Sequence, residues 1–143
     1  MATEDVGLAD PAAVGHVIAA RDSYQFLGSP EGELALAQAV IYLATAPKSN
    51  RTYRAWATAS ARAQETSGAK VPLHIRNAPT SLMKELGYGK GYRYDPEEEN
   101  GVSDQTYLPK QVEGECFYEP SAFGFEKTIA DRLRWWAERR KKG

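Results

Sequence analysis

With 143 residues, 42% of them hydrophobic and 26% charged, and a net charge of −1, the chain can bury a core of its own and carries no global pull toward nucleic acid or membrane. Its single cysteine, Cys116, excludes an internal disulfide and a cysteine-based zinc cluster and suits a reducing cytoplasm. No run of about 18 apolar residues exists to span a membrane, and the N-terminus lacks the basic-then-apolar order of a signal peptide.

Residues 1–9 show no periodic element, which reads as the cut end of a longer protein. Asp10-Pro11 then starts a helix: the carboxylate can accept an amide hydrogen at the N-cap, and proline at the first position gives up no bond. Val14, Val17, Ile18, Tyr24 and Leu27 follow at mostly helical spacing, and Gly28 stops it. Ser29-Pro30-Glu31 repeats the start signal. Leu36, Val40 and Leu43 beside Ala37, Ile41 and Ala44 make a wide apolar face, and the alanines Ala35, Ala37, Ala39, Ala44 and Ala46 permit close approach of another helix. Pro47 ends this helix. Lys48-Ser49-Asn50 offers a cap for a third helix over 51–66, with Tyr53, Trp56, Ala57 and Ser60 on one side.

The stretch from Val71 to Tyr94 differs in kind. Pro72 and Pro79 break any period; Thr80 can cap a short helix over 81–86, with Leu82, Met83 and Leu86 turned inward. Gly87, Gly89 and Gly91 alternate with Tyr88, Lys90 and Tyr92, a backbone free to turn. Asp95 to Asp104 reads as a solvated acidic loop. Thr106–Leu108 and Cys116–Tyr118 read as a short β-hairpin. Ser121 can cap a last helix, on which Phe125, Ile129, Leu133 and Trp136 form one stripe and Trp135 stands off it, as core or as an exposed anchor. The basic end from Arg132 to Lys142 suits the macrodipole of that helix or a phosphate contact.

The expected fold is therefore mainly α: a compact bundle of about five helices in one domain. It comprises a helical part over 10–68, a loop, short helix and glycine–tyrosine turn over 71–94, an acidic loop and hairpin over 95–120, and a C-terminal helix over 122–141.

Several chemistries are tested by spacing. A P-loop needs glycine five residues before its Gly-Lys pair and Ser or Thr after it; those positions hold Lys84 and Gly91. A calcium loop starting at Asp95 needs glycine at its sixth position and glutamate at its twelfth; they are Asn100 and Thr106. His16 has no acidic or histidine partner three or four residues away, and His74 lacks a nucleophile motif, so a structural hydrogen bond suits it better than catalysis. No catalytic, cofactor or metal residue is expected. Arg76, Lys84, Lys90 and Arg93 with Tyr88, Tyr92 and Tyr94 can instead form a surface for DNA or a partner, phosphates on the cations and bases on the rings, or the tyrosines can simply pack the loop. Leu36, Val40, Leu43, Ile129, Leu133, Trp135 and Trp136 are the expected core or interface anchors.

The strings TEDVGLADP (Thr3–Pro11), AVIYLATAPKSN (Ala39–Asn50), VPLHIRNAPTSLMKELGYGKGYRY and YEP (Tyr118–Pro120) together resemble the C-terminal region of the replication-associated recombination protein A (RarA/MgsA) family, AAA+ ATPases related to clamp loaders. The resemblance runs from Thr3 into the last helix; the tail WWAERRKKG follows no pattern of the family. It implies a helical collar that holds subunits in a homotetramer. ATP and Mg²⁺ would belong to the parent protein's N-terminal nucleotide-binding part, and no catalytic residue carries over. It also implies a bacterial cytoplasmic, nucleoid-associated parent at stalled forks, with DNA and single-strand DNA-binding protein as partners and no membrane.

Overall fold

Five α-helices form among the described residues, each close to where apolar periodicity and stop signals place it: α1 (Ala13–Leu27), α2 (Glu31–Thr45), α3 (Arg51–Glu65), α4 (Ser81–Glu85) and α5 (Glu126–Arg140). The structure, a computed structural model, describes residues 1–98 and 101–140. The mainly α fold expected from sequence is present. Its contacts resolve into two units, Met1–Ser60 with Phe117–Asp131, and Ala61–Cys116 with Arg132–Gly143.

In the first unit, Asp10 Oδ1 accepts the Ala12 amide at 3.1 Å, and α1 follows from Ala13. Gly28, at φ 70°, takes the left-handed backbone that ends α1. Ser29 Oγ then donates to Glu33 at 2.6 Å in the first turn of α2. Close packing of α1 on α2 rests on small residues: Gly32 is buried against Tyr24, and a Cβ there would lie 2.8 Å from Tyr24 Cα. The His16 and Tyr42 rings meet at 4.2 Å between centroids, and the Tyr42 hydroxyl donates to Asp10 at 2.6 Å. Lys48 Nζ donates to the Leu43 and Ala46 carbonyls, 2.6 Å each, closing the C-terminal end of α2.

Residues 1–9 do have structure, contrary to expectation. A single π-turn (Ala2–Val6) leads into a 3-10 turn (Gly7–Ala9), and Val6 is the most buried apolar side chain of the first unit together with Ala13. Two remote amides hold the segment: Ser49 N donates to Asp5 O at 2.7 Å, and Phe125 N donates to Ala9 O at 2.8 Å. The last helix begins at Glu126 rather than at residue 122. Gly124, at φ 51°, passes so close to Ala9 O that the chain turns there and enters the helix only afterwards. Residue 141, the expected end of this helix, and the rest of the basic tail beyond Arg140 lie outside the described residues.

In the second unit, Thr80 Oγ accepts the Met83 amide at 3.3 Å as the cap of α4. Gly87, Gly89 and Gly91 all adopt positive φ, between 73° and 83°. Leu82 and Leu86 do not turn inward; both are exposed, and Met83 is half-buried. One and a half turns of helix cover little surface, and backbone bonds hold the loop instead, Tyr88 N donating to Met83 O and Gly89 N to Leu73 O. The expected hairpin is absent: no strand forms among the described residues. The Thr106 carbonyl is taken by His74 Nε2 at 2.9 Å, and Pro109 opens a 3-10 turn (Lys110–Val112) that buries Val112. A carbonyl only accepts, so that contact places the His74 proton on Nε2.

The acidic stretch is organised rather than merely solvated. Arg93 pairs with Glu98 and Asp104, while Asp95 accepts from Ser103 N at 2.9 Å and Ser103 Oγ at 2.6 Å. Glu99 and Asn100 lie outside the described residues. The hydrogen bond from Arg93, then its charge, holds the Glu98 carboxyl below its ordinary range against the opposing effect of burial. The hydroxyl and amide of Ser103 do the same for Asp95.

Candidate functional site

The first unit turns its large apolar side chains outward. On α2 the small residues Gly32, Ala35 and Ala39 recur at helical spacing and are shielded, whereas Leu34 is 75% exposed, Val40 66% and Ile41 65%. On α3 the half-shielded residues are Arg51, Ala55, Ala59, Ser60 and Arg62; Trp56 is 74% exposed, and Tyr53 is exposed too. Tyr42 and Leu43 at the end of α2 are half-shielded as well, but Leu34, Leu36, Val40 and Ile41 are left uncovered by this chain. Exposed apolar surface of this extent marks interaction sites in soluble proteins.

An open groove of about 900 Å³ lies on the same unit. Val40, Leu43 and Ala44 of α2 line it with Phe123, and Lys48, Arg51 and Arg54 supply cations. Two of the expected anchors, Val40 and Leu43, are thus brought together, and Leu36 stands exposed on α2. On α5, Ile129 is half-buried, whereas Leu133, Trp135 and Trp136 are exposed. The Arg139 guanidinium sits 3.5 Å from the Trp135 ring centroid and covers part of it.

Behind this surface lies a buried polar node that sequence reasoning missed. Glu126, the first residue of α5, is wholly buried. Its carboxylate accepts from Ser49 Oγ at 2.8 Å, Tyr118 OH at 2.9 Å and Ser121 N at 2.8 Å. Ser49 Oγ also accepts the Arg51 amide at 3.3 Å, in the role of helix cap expected for that loop. Burial pushes the Glu126 carboxyl up, but the hydrogen bonds from Ser121, Ser49 and Tyr118 together outweigh it and hold the carboxyl below its ordinary value. Burial, then the bond to Glu126, pushes the Tyr118 hydroxyl up. The available signal was the convergence of three quoted strings: TEDVGLADP supplies Val6 and Ala9, APKSN supplies Ser49, and YEP supplies Tyr118.

In the second unit the cations of the 71–94 stretch have different fates. Arg93 is engaged by Glu98 and Asp104. Arg76 Nε donates to Val71 O at 2.7 Å, and its guanidinium lies 5.1 Å from the Tyr88 ring centroid, within hydrogen-bond reach of the Tyr88 hydroxyl. Lys84 and Lys90 are exposed and form no ion pair among the described residues, and Tyr92 and Tyr94 are exposed. No group of three or more His, Cys, Asp or Glu side chains is arranged to hold a metal among the described residues. No helix among them is long and apolar enough to cross a membrane.

These elements define a mainly α-helical domain that presents surfaces. A family model described as MgsA AAA+ ATPase C terminal matches residues 1–137, and the chain belongs to that family. Replication-associated recombination protein A of Escherichia coli K12 is 48% identical over 139 residues, 96% of this chain and 31% of that protein. Its namesake in Coxiella burnetii is 46% identical over 137 residues, 95% of this chain and again 31% of the relative. ATPase WRNIP1 of Dictyostelium discoideum is 41% identical over 120 residues, 83% of this chain and 14% of that protein. The chain therefore spans about a third of the length of these two bacterial relatives, and the resemblance read from its sequence is borne out.

Proposed function

We propose that this chain is the oligomerisation module, a homotetrameric collar, of a RarA/MgsA-type AAA+ ATPase acting in DNA replication, recombination and repair at stalled forks. The observation that carries this reading is the outward face of α2, where Leu34, Val40 and Ile41 stand in solvent while Gly32, Ala35, Ala39 and Tyr42 make up the inward face. An obligate interface buries upwards of about 2,000 Å², and such a face beside the groove at Val40, Leu43 and Phe123 offers apolar area of the right kind. The module fixes subunit geometry and has no catalysis of its own. ATP and Mg²⁺ bind elsewhere in the whole protein, through a P-loop that this sequence does not contain. The whole protein works in the bacterial cytoplasm, at the nucleoid, on DNA and with single-strand DNA-binding protein. Sedimentation or light scattering on the chain should return a mass near four protomers at tens of micromolar, about the range in which mass action favours such assemblies. A monomer at that concentration overturns the reading.

A second reading is a DNA-contacting module. It is favoured by the exposed Lys84 and Lys90, which form no ion pair among the described residues, by the exposed Tyr92, and by Arg76 and Tyr88 of the same stretch. It predicts salt-sensitive binding of single-stranded or forked DNA by this chain; absence of binding at low salt removes it. The engagement of Arg93 by two carboxylates withdraws one of its four cations.

A further inference from the structure

The second unit holds a separate groove of about 810 Å³. Its apolar lining is aliphatic, with Val71, Leu73 and Leu108. Four cations, Lys70, Arg76, Lys90 and Lys110, line it against one carboxylate, Glu113. The imbalance is local. Four acids elsewhere in the unit are engaged by other arginines: Glu98 and Asp104 by Arg93, Glu65 and Glu115 by Arg62. The three lysines of the groove form no ion pair among the described residues. Arg76 is held in place by the Val71 carbonyl and the Tyr88 ring, so its charge needs little ordering when a ligand arrives.

We infer that this groove docks an extended acidic peptide with interleaved apolar side chains, a segment of a partner protein. Carboxylates would meet the lysines and Arg76, and aliphatic side chains would cover Val71, Leu73 and Leu108. Single-stranded nucleic acid would meet the same cations. However, it also needs broad flat rings on which to stack its bases, and no Phe, Tyr or Trp lines this groove; its one ring, the His74 imidazole, is tied through Nε2 to the Thr106 carbonyl. The inference does not rest on oligomerisation, because every residue it uses lies in the second unit, whereas the proposed self-association rests on α2 of the first.

Fluorescence anisotropy on the whole chain tests it, using a short fluorescein-labelled peptide of alternating aspartate and leucine. Two further probes are the same peptide with serine for leucine and a labelled oligothymidylate of similar length. The leucine peptide should bind, and the serine peptide should bind about tenfold more weakly because each buried leucine side chain contributes a favourable transfer energy. Lys90→Glu combined with Lys110→Glu should weaken the leucine peptide by about tenfold or more, since each reversal sets like charges together. The corresponding Lys→Gln pair, with circular dichroism unchanged, guards against a folding artefact. Lys84→Glu, outside the groove, should leave binding intact. Absent binding, equal binding of the serine peptide, indifference to the charge changes, or tighter binding of the oligothymidylate with the same charge sensitivity would each overturn the proposal.

Discussion

Ser49 donates its hydroxyl proton to the Glu126 carboxylate across 2.8 Å, although 77 positions separate the two in sequence, and both side chains are buried. This bond ties the α2–α3 junction to the first turn of α5. Tyr118 and Ser121 complete the carboxylate's partners. Replacing Glu126 by Ala takes the acceptor from two hydroxyls and an amide beside a buried position. Hydrogen bonds to a charged group contribute about 1.5–3 kcal/mol each, and unsatisfied donors add their desolvation cost. Glu126→Ala should therefore lower stability by about 3–4 kcal/mol, while Ser49→Ala, which removes one donor and a cap, should cost about 1–2 kcal/mol. Urea unfolding followed by circular dichroism measures both.

The same node sets a pH dependence. Glu126 is depressed below its ordinary value of 4.5, as are Glu98 from 4.5 and Asp95 from 3.8. A depressed carboxyl binds fewer protons in the folded state than in the unfolded one. Its stabilisation is present above the ordinary value and is lost as pH falls through the folded value. Melting temperature should hold steady from neutral pH to about 5 and then fall, and Glu126→Gln should flatten part of that fall while lowering the neutral plateau. Tyr118 acts at the other end. Its hydroxyl is raised above 10, so its contribution is complete below 10 and is lost as pH rises through the folded value. Tyr42, raised by its bond to Asp10, adds to the same limb, so Tyr118→Phe should remove only part of it.

Much of the local structure was legible, because its causes are local. Gly28, Pro47, Thr80 and the three alternating glycines act on their own backbone, and the structure finds them acting there. The burial of Val6 and Glu126 was not legible. Val6 is covered because remote amides, Ser49 N and Phe125 N, pin its segment, and no periodicity within residues 1–9 records that. A glutamate in the first turn of a helix ordinarily faces water, and only the arrival of Ser49 and Tyr118 makes Glu126 interior. The outward face of α2 was hidden for a related reason. Periodicity shows that apolar stripes exist but not which face another helix covers; here α1 packs on Gly32, Ala35, Ala39 and Tyr42, a face outside both the Leu36/Val40/Leu43 and the Ala37/Ile41/Ala44 stripes.

Two glycines separate packing from propensity. A Cβ on Gly32 would lie 2.8 Å from Tyr24 Cα, a backbone atom that cannot move unless α1 and α2 part. Gly15 is also helical, but a Cβ there meets nothing within 4 Å. Gly15→Ala should stabilise the chain by about 0.5–1 kcal/mol through helix propensity. Gly32→Ala gains part of that and loses more to overpacking, so it should destabilise by about 1–3 kcal/mol. Opposite shifts in the thermal midpoint check the pair; shifts of the same sign would mean that the α1–α2 contact is looser than its geometry implies.

If the outward face of α2 joins subunits, charge placed there should separate them without unfolding them. Val40 and Ile41 are both about two-thirds exposed in the single chain. Substitutions at such sites usually change the stability of an isolated fold by no more than about 0.5 kcal/mol. In an interface the same aspartates would be buried unpaired, which costs several kcal/mol on the order of the desolvation of a charge. Val40→Asp with Ile41→Asp should therefore shift the mass of the chain from the oligomer toward the monomer and leave the helical circular dichroism spectrum in place. Phe26→Ser, on α1 and 89% exposed, serves as the control and should leave the mass unchanged. If the α2 double variant keeps the full oligomeric mass, this face is not the subunit interface. If Phe26→Ser alone dissociates the chain, the interface runs along α1 instead.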